Sequence, residues 1–221
     1  MLDVLLIGPL GWEASVWQFV TEQFPTKRFA YLTYTDENLE QLASKTDFLN
    51  QLSDLQEQLT PETLIISASF GTVVLLSFLE ENFISNPLIL IDGFQQLPEK
   101  AAIPALFAER PEEFSDKQAY LNTVLDETDQ ENSQLVKIAL DNLTEKLRVT
   151  TSNHNYVKAL SAFSGVNPAE ILQRLALDTS YVFSSVPIAG VKMTAITPES
   201  HLLMLTNPQQ LLAVIGKKLA Q

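Results

Sequence analysis

The chain has 221 residues with a formal charge of −13, 46% apolar content, two histidines and no cysteine. So acidic a surface repels phosphate backbones and argues against nucleic acid as a partner. It also disfavours anionic membranes and polyanionic substrates such as coenzyme A esters, although solubility alone accounts for the charge equally well. Without thiols there is no disulfide framework, thiol catalysis or thiolate metal site, and a reducing, cytoplasmic compartment is the expected location.

The length suits one domain with an elaboration, or at most two small ones. The opening MLDVLLIG has no basic leader, and Asp3 interrupts its apolar run, so neither a signal peptide nor a membrane span is expected. Residues 3–8 (DVLLIG) read as a buried strand and residues 29–34 (FAYLTY) as a second. In 36–59, Phe48, Leu49, Leu52, Leu55 and Leu59 recur at helical spacing until Thr60-Pro61 stops the run. A third strand, TLIISA (63–68), runs into SASFG (67–71) and then into a helix over 70–82. LILID (88–92) is a fourth strand. Continuous apolar strands alternating with helices predict a parallel sheet covered on both faces.

Residues 97–177 contain no strand run. Val136, Leu140, Leu143 and Leu147 form one helical stripe, and Tyr156, Leu160 and Phe163 another. Pro98, Pro104, Pro111 and Pro168 punctuate the segment, so four or five helices are expected between the fourth and fifth strands. SYVFSS (180–185) and VKMTAI (191–196) supply two more strands. A closing helix spans 207–219, with Pro208 in its first turn.

Chemistry concentrates at SASFG. A hydroxyl is a poor nucleophile unless a base takes its proton and fixed donors hold the developing oxyanion. A tight strand-to-helix turn lifts Ser69 clear of the sheet and aims the first helical N–H groups at one point. Ser67 and Gly71 keep that turn small. The plain alternative is that Ser67 or Ser69 caps the helix. For a base, the chain offers His154, in a polar stretch opening a helix, and His201, between the last strand and the closing helix. A loop in the second position would meet the Ser69 turn at the carboxyl edge of the sheet. Two distant histidines and no cysteine make zinc improbable. No P-loop is present, and Gly8-x-x-Gly11 is an incomplete nucleotide turn. No cofactor or metal is therefore expected.

Three blocks in this chain order resemble the α/β-hydrolase superfamily. DVLLIGPLGWEASVW resembles its early strand and oxyanion loop. FLNQLSDLQEQLTPETLIISASFGTVVLLSFL resembles its helix, strand, nucleophile elbow and helix. SHLLMLTNPQQLLAVI resembles its late histidine segment. The resemblance covers most of 1–95 and 178–221 and implies Ser69 as nucleophile, His201 as base and the Phe70 backbone N–H as an oxyanion donor. Four departures stand out. Ile7-Gly8 replaces the usual His-Gly and is followed by Pro9, which has no N–H, so the second oxyanion donor must be Leu10 or Gly11; Leu10 is the candidate. The sheet begins with what is usually the third family strand. Ser67 replaces the elbow's first glycine. No acid follows the fifth strand, where Ser184 and Ser185 stand instead. Asp92 is the best substitute, since some members, the haloalkane dehalogenases among them, carry an acid after the preceding strand. An aspartate there also caps the turn at Gly93, and a Ser-His dyad assisted by Ser184 or Ser185 is the other arrangement. Glu199 is expected to face solvent.

The fold expected is therefore a three-layer α/β-hydrolase-like one with a truncated, mostly parallel sheet of about six strands and a helical lid after the fourth. The core falls at 1–96 and 178–221, and the lid and connecting helices at 97–177. The function expected is hydrolysis of a small or medium carboxylic ester or thioester through an acyl-enzyme on Ser69. Trp12, Trp17, Phe94, Leu106, Phe107 and Tyr120 are candidates to line an acyl pocket, and a homodimer is compatible. Two alternatives remain: a catalytically impaired scaffold acting as a binding or regulatory module, and a flavodoxin-like or nucleotide-binding domain.

Overall fold

The computed structural model describes residues 2–125, 129–175, 177, 180–197 and 201–220. Its elements, in chain order, begin with β1 (Val4–Leu10), α1 (Gln18–Gln23), β2 (Phe29–Tyr34), α2 (Asp36–Leu39), α3 (Lys45–Gln56), β3 (Leu64–Ala68), α4 (Phe70–Leu79) and β4 (Leu88–Ile91). The inserted helices follow: α5 (Ile103–Leu106), α6 (Lys117–Val124), α7 (Ser133–Leu140), α8 (Asn153–Ala162) and α9 (Pro168–Leu175). The chain closes with β5 (Tyr181–Ser184), β6 (Thr194–Ala195), α10 (Leu203–Thr206) and α11 (Pro208–Leu219).

The six strands form one sheet in the order β2-β1-β3-β4-β5-β6, and every pairing is parallel. The uninterrupted apolar strands divide by the two-residue period of a pleated backbone. Leu5, Ile7, Ile65, Leu88, Leu90 and Val182 face one layer, where α3, α4, α8 and α9 pack. Val4, Leu6, Ile66, Ile89, Ile91 and Phe183 face the other, where α1, α7, α10 and α11 pack. Both faces are covered, which is why these strands read as solid runs in the sequence. Among the described residues, no helix is long and apolar enough to cross a membrane.

The chain moves outward from β1 to β2, then returns to place β3 on the other side of β1. This reversal opens a crevice beyond the carboxyl ends of β1 and β3, the place where open α/β sheets bind ligands. Leu10 ends β1 and Ser69 follows β3, so the two flank it.

The structure redraws several expected elements. The 36–59 stripe is two helices, because Ser44 and Asp47 form a capping box that starts α3 afresh. The stripe through Val136 and Leu140 does not continue as a helix to Leu147. Asn142 bonds the carbonyls of Ile138 and Ala139 at the end of α7, and Leu143 pairs instead with Val149. Residues 191–196 contribute only Thr194–Ala195 to the sheet.

Candidate active site

The site grows from the turn between β3 and α4. Ser69 sits at φ 53°, ψ −120°, in the left-handed half of backbone space that a non-glycine residue seldom occupies. It is held there from several sides. Its N–H donates to the Ile91 carbonyl at 2.8 Å, and its carbonyl accepts from Thr72 and Val73. Gly71 and Gly93 permit the crowding: a Cβ on Gly71 would lie 2.7 Å from the carbonyl oxygens of Ile7 and Gly8, and one on Gly93 would lie 2.2 Å from that of Ser69. The Ser67 position needs no glycine. Its buried hydroxyl pairs with that of Thr72 at 3.0 Å.

His201 Nε2 lies 2.7 Å from Ser69 Oγ, and its Nδ1 lies 2.5 Å from Asp92 Oδ2. An ionised carboxylate only accepts hydrogen bonds, so Nδ1 carries the proton and Nε2 accepts from the serine hydroxyl. Asp92 follows β4, almost wholly buried, at φ 48°. Ser185, the first residue after β5, donates its hydroxyl to Asp92 at 2.9 Å to Oδ1 and 3.0 Å to Oδ2, and its N–H to Oδ1 at 3.3 Å. Burial pushes the Asp92 carboxyl up, but the hydrogen bonds and charge of His201, with the two Ser185 donors, outweigh it. The net shift is below the usual carboxylate range. Asp92 and Ser185, weighed in the sequence as alternatives, lie in series: Ser185 donates to the carboxylate that faces His201 Nδ1. Ser184 turns away and donates to the Val186 carbonyl at 2.6 Å.

The ring of Phe70 is locked among Tyr34, Phe48 and Phe163 at centroid distances of 5.1, 5.7 and 5.4 Å, which fixes the first turn of α4. The Phe70 N–H, at the first helical position, has no intrahelical acceptor. On β1 the register slips between Ile7 and Leu10, so Pro9, which has no N–H, falls among the unpaired residues of a bulge. Beyond it Leu10 pairs with Tyr34, and the Gly11 N–H donates to the Tyr34 carbonyl at 2.8 Å. Leu10 itself lines the cleft together with Ser69.

A cleft of about 370 Å³ opens in front of Ser69 and His201, walled by Leu10, Val73, Leu97, Phe107, Tyr156 and Leu160. Of the six residues expected to line a pocket, only Phe107 lines this cleft. Trp17 and Phe94 are buried in packing, Leu106 is exposed, and Trp12 and the buried Tyr120 border a smaller cavity. Large apolar residues went first to the core, where burial stabilises most. His154 is exposed on α8, and Glu199 lies outside the described residues. Among the described residues, no cluster of three His, Asp or Glu side chains is placed to hold a metal.

Neither a family model nor a curated protein matches the sequence. Solved structures do match the fold. E-2-(acetamidomethylene)succinate hydrolase superposes with a TM-score of 0.69 at 11% identity, covering 100% of this chain and 92% of its own. An esterase from Thermogutta terrifontis, with malate bound, gives 0.65 at 14% identity, covering 100% and 90%. The chain has the α/β-hydrolase fold. A third match, 1H-3-hydroxy-4-oxoquinoline 2,4-dioxygenase, gives 0.62 at 11% identity over 98% and 91%, so the α/β-hydrolase fold by itself does not name the reaction.

Within that fold, the sequence sets Ser185 beside Asp92 as an alternative, and the structure places it as a donor to Asp92. Tyr156 was read as part of a packing stripe, yet it lines the cleft and donates its hydroxyl to the Leu10 carbonyl at 3.2 Å. No local pattern distinguishes such a tyrosine from a core one.

Proposed function

We propose that this protein is a serine hydrolase that cleaves a small or medium neutral carboxylic ester or thioester. The observation that carries this reading is the continuous chain Ser69 Oγ–His201–Asp92, at 2.7 and 2.5 Å, with the serine on a strained turn facing a cleft.

In this mechanism Ser69 Oγ attacks the substrate carbonyl carbon while its proton passes to His201 Nε2. Asp92 accepts from Nδ1 and stabilises the imidazolium. The tetrahedral oxyanion is held by the N–H groups of Phe70 and Leu10. Collapse breaks the bond to the leaving oxygen or sulfur, which takes the proton from Nε2. Water, deprotonated by the same imidazole, then attacks the acyl-enzyme and releases the acid and Ser69. The cleft wall supports an apolar acyl group, and the strongly acidic chain supports a substrate without extended negative charge.

A fluorophosphonate probe tests the reading. Wild-type protein is expected to take one equivalent of label, and Ser69→Ala none. A folded wild type that resists the probe would remove the hydrolase assignment and leave a binding module on the same fold. An ester series graded by acyl length and charge then ranks substrates, with neutral acyl esters expected above highly charged thioesters.

A further inference from the structure

We propose that Tyr156 is the positioning residue of the oxyanion site: by gripping the Leu10 carbonyl from α8, it keeps the Leu10 N–H aimed into the cleft. The inference rests on the hydrolase reading above.

The end of β1 has to be held for this purpose. It lies past a bulge, at the open end of the sheet, and the donor it must present is a backbone group that cannot be aimed by a rotamer. The Leu10–Gly11 peptide is held at both of its polar atoms. Its N–H donates to Tyr34 on β2, and its carbonyl accepts from the Tyr156 hydroxyl at 3.2 Å. With that plane fixed, rotation at Leu10 is restrained and so is the direction of its N–H.

Gly11 and Tyr156 are fitted to each other. Gly11 has φ 78°, and a Cβ there would fall 1.7 Å from the Tyr156 hydroxyl oxygen. The phenol occupies the space any side chain on residue 11 would need. Tyr156 is itself rigidly mounted. The start of α8 is tied to Asp36 Oδ1, which accepts from Ser152 N–H at 2.9 Å, Ser152 Oγ at 3.2 Å and Asn155 Nδ2 at 2.7 Å. One turn on, Lys158 Nζ donates to the carbonyls of Leu39 and Glu40. The Tyr156 ring lies against Phe107 at 5.2 Å, with the Arg110 guanidinium 4.3 Å above its centroid. Burial pushes the phenol up and the Arg110 charge only moderates this, so the hydroxyl keeps the proton it donates. A tyrosine serving only as a cleft wall would use its ring alone. Here the hydroxyl reaches a carbonyl 146 residues away, beside the proposed donor.

Tyr156→Phe, in the full chain, separates the two roles because it removes the oxygen and leaves the ring. With a p-nitrophenyl ester, kcat is expected to fall about tenfold or more with KM within about twofold, since misdirecting an oxyanion donor costs up to the ~10²-fold of losing it. Affinity for a trifluoromethyl ketone, which forms an oxyanion on Ser69, should fall by the same factor, while the melting temperature barely moves. Gly11→Ala displaces the hydroxyl from the other side and should reproduce the loss; it carries the test if the first variant does not fold. Unchanged kcat and ketone affinity, or a change in KM alone, would overturn the inference while leaving the hydrolase reading intact. Absence of fluorophosphonate labelling in the wild type would overturn both.

Discussion

Replacing Asp92 by Asn tests the electrostatics of the site most sharply. The substitution preserves shape and gives one end of the side chain two N–H donors. The structure says which way the amide will turn. Ser185 offers two donors to this group, its hydroxyl at 2.9 and 3.0 Å and its N–H at 3.3 Å. The amide oxygen will therefore face Ser185, and the amide nitrogen will face His201 Nδ1. A donor against Nδ1 forces the imidazole proton onto Nε2, where it opposes the serine hydroxyl instead of accepting its proton. Turnover is expected to fall by roughly 10³ to 10⁴, or about 4–5.5 kcal/mol of barrier, with KM little changed. A second substitution then tests the cause. Ser185→Ala removes one hydrogen bond of about 1–1.5 kcal/mol that holds the amide in the wrong orientation, so Asp92→Asn/Ser185→Ala should be up to about tenfold more active than Asp92→Asn alone. Steady-state hydrolysis of a chromogenic ester measures both. The reasoning fails if Asp92→Asn stays within tenfold of wild type, or if the added alanine lowers activity further.

Ser67→Gly restores the small residue usual at an elbow and deletes the buried Ser67–Thr72 bond. It should lower stability by about 1–2 kcal/mol in urea denaturation while kcat stays within about twofold, and a large kcat loss would mean that Ser67 shapes the turn itself. Acid sensitivity follows from Asp92, whose carboxyl lies below the usual range when folded. Its contribution is full above the unfolded carboxylate value and is lost as pH falls through the folded one. Melting temperature should therefore drop less between pH 7 and pH 3 in Asp92→Asn than in wild type, and parallel curves would count against the shift.

Much of this architecture is readable before any coordinates. Apolar runs such as VLLI and LILI announce strands covered on both faces, and the passage from TLIISA through Ser69 to a helix announces a sharp turn. Where local chemistry contradicted the simple pattern, the pattern misled. The Ser44–Asp47 box divided one apparent helix into two, and the Asn142 side chain ended another that the leucine stripe carried forward to Leu147. Aromatic residues also misled, because ring size signals burial and not which cavity a ring borders.

The amino-acid sequence by itself determined the layered parallel sheet and the sharp turn at Ser69, since each depends on periodicity or turn residues within a short window, and it pointed to His201 through chain order across the sheet. Only the tertiary structure decided that Ser185 and His201 both meet Asp92, and that Tyr156 reaches the end of β1. The Asp92–Ser185, Asp92–His201 and Leu10–Tyr156 contacts join residues 93 to 146 positions apart, and no local signal encodes a contact created by packing separate loops over the same end of a sheet.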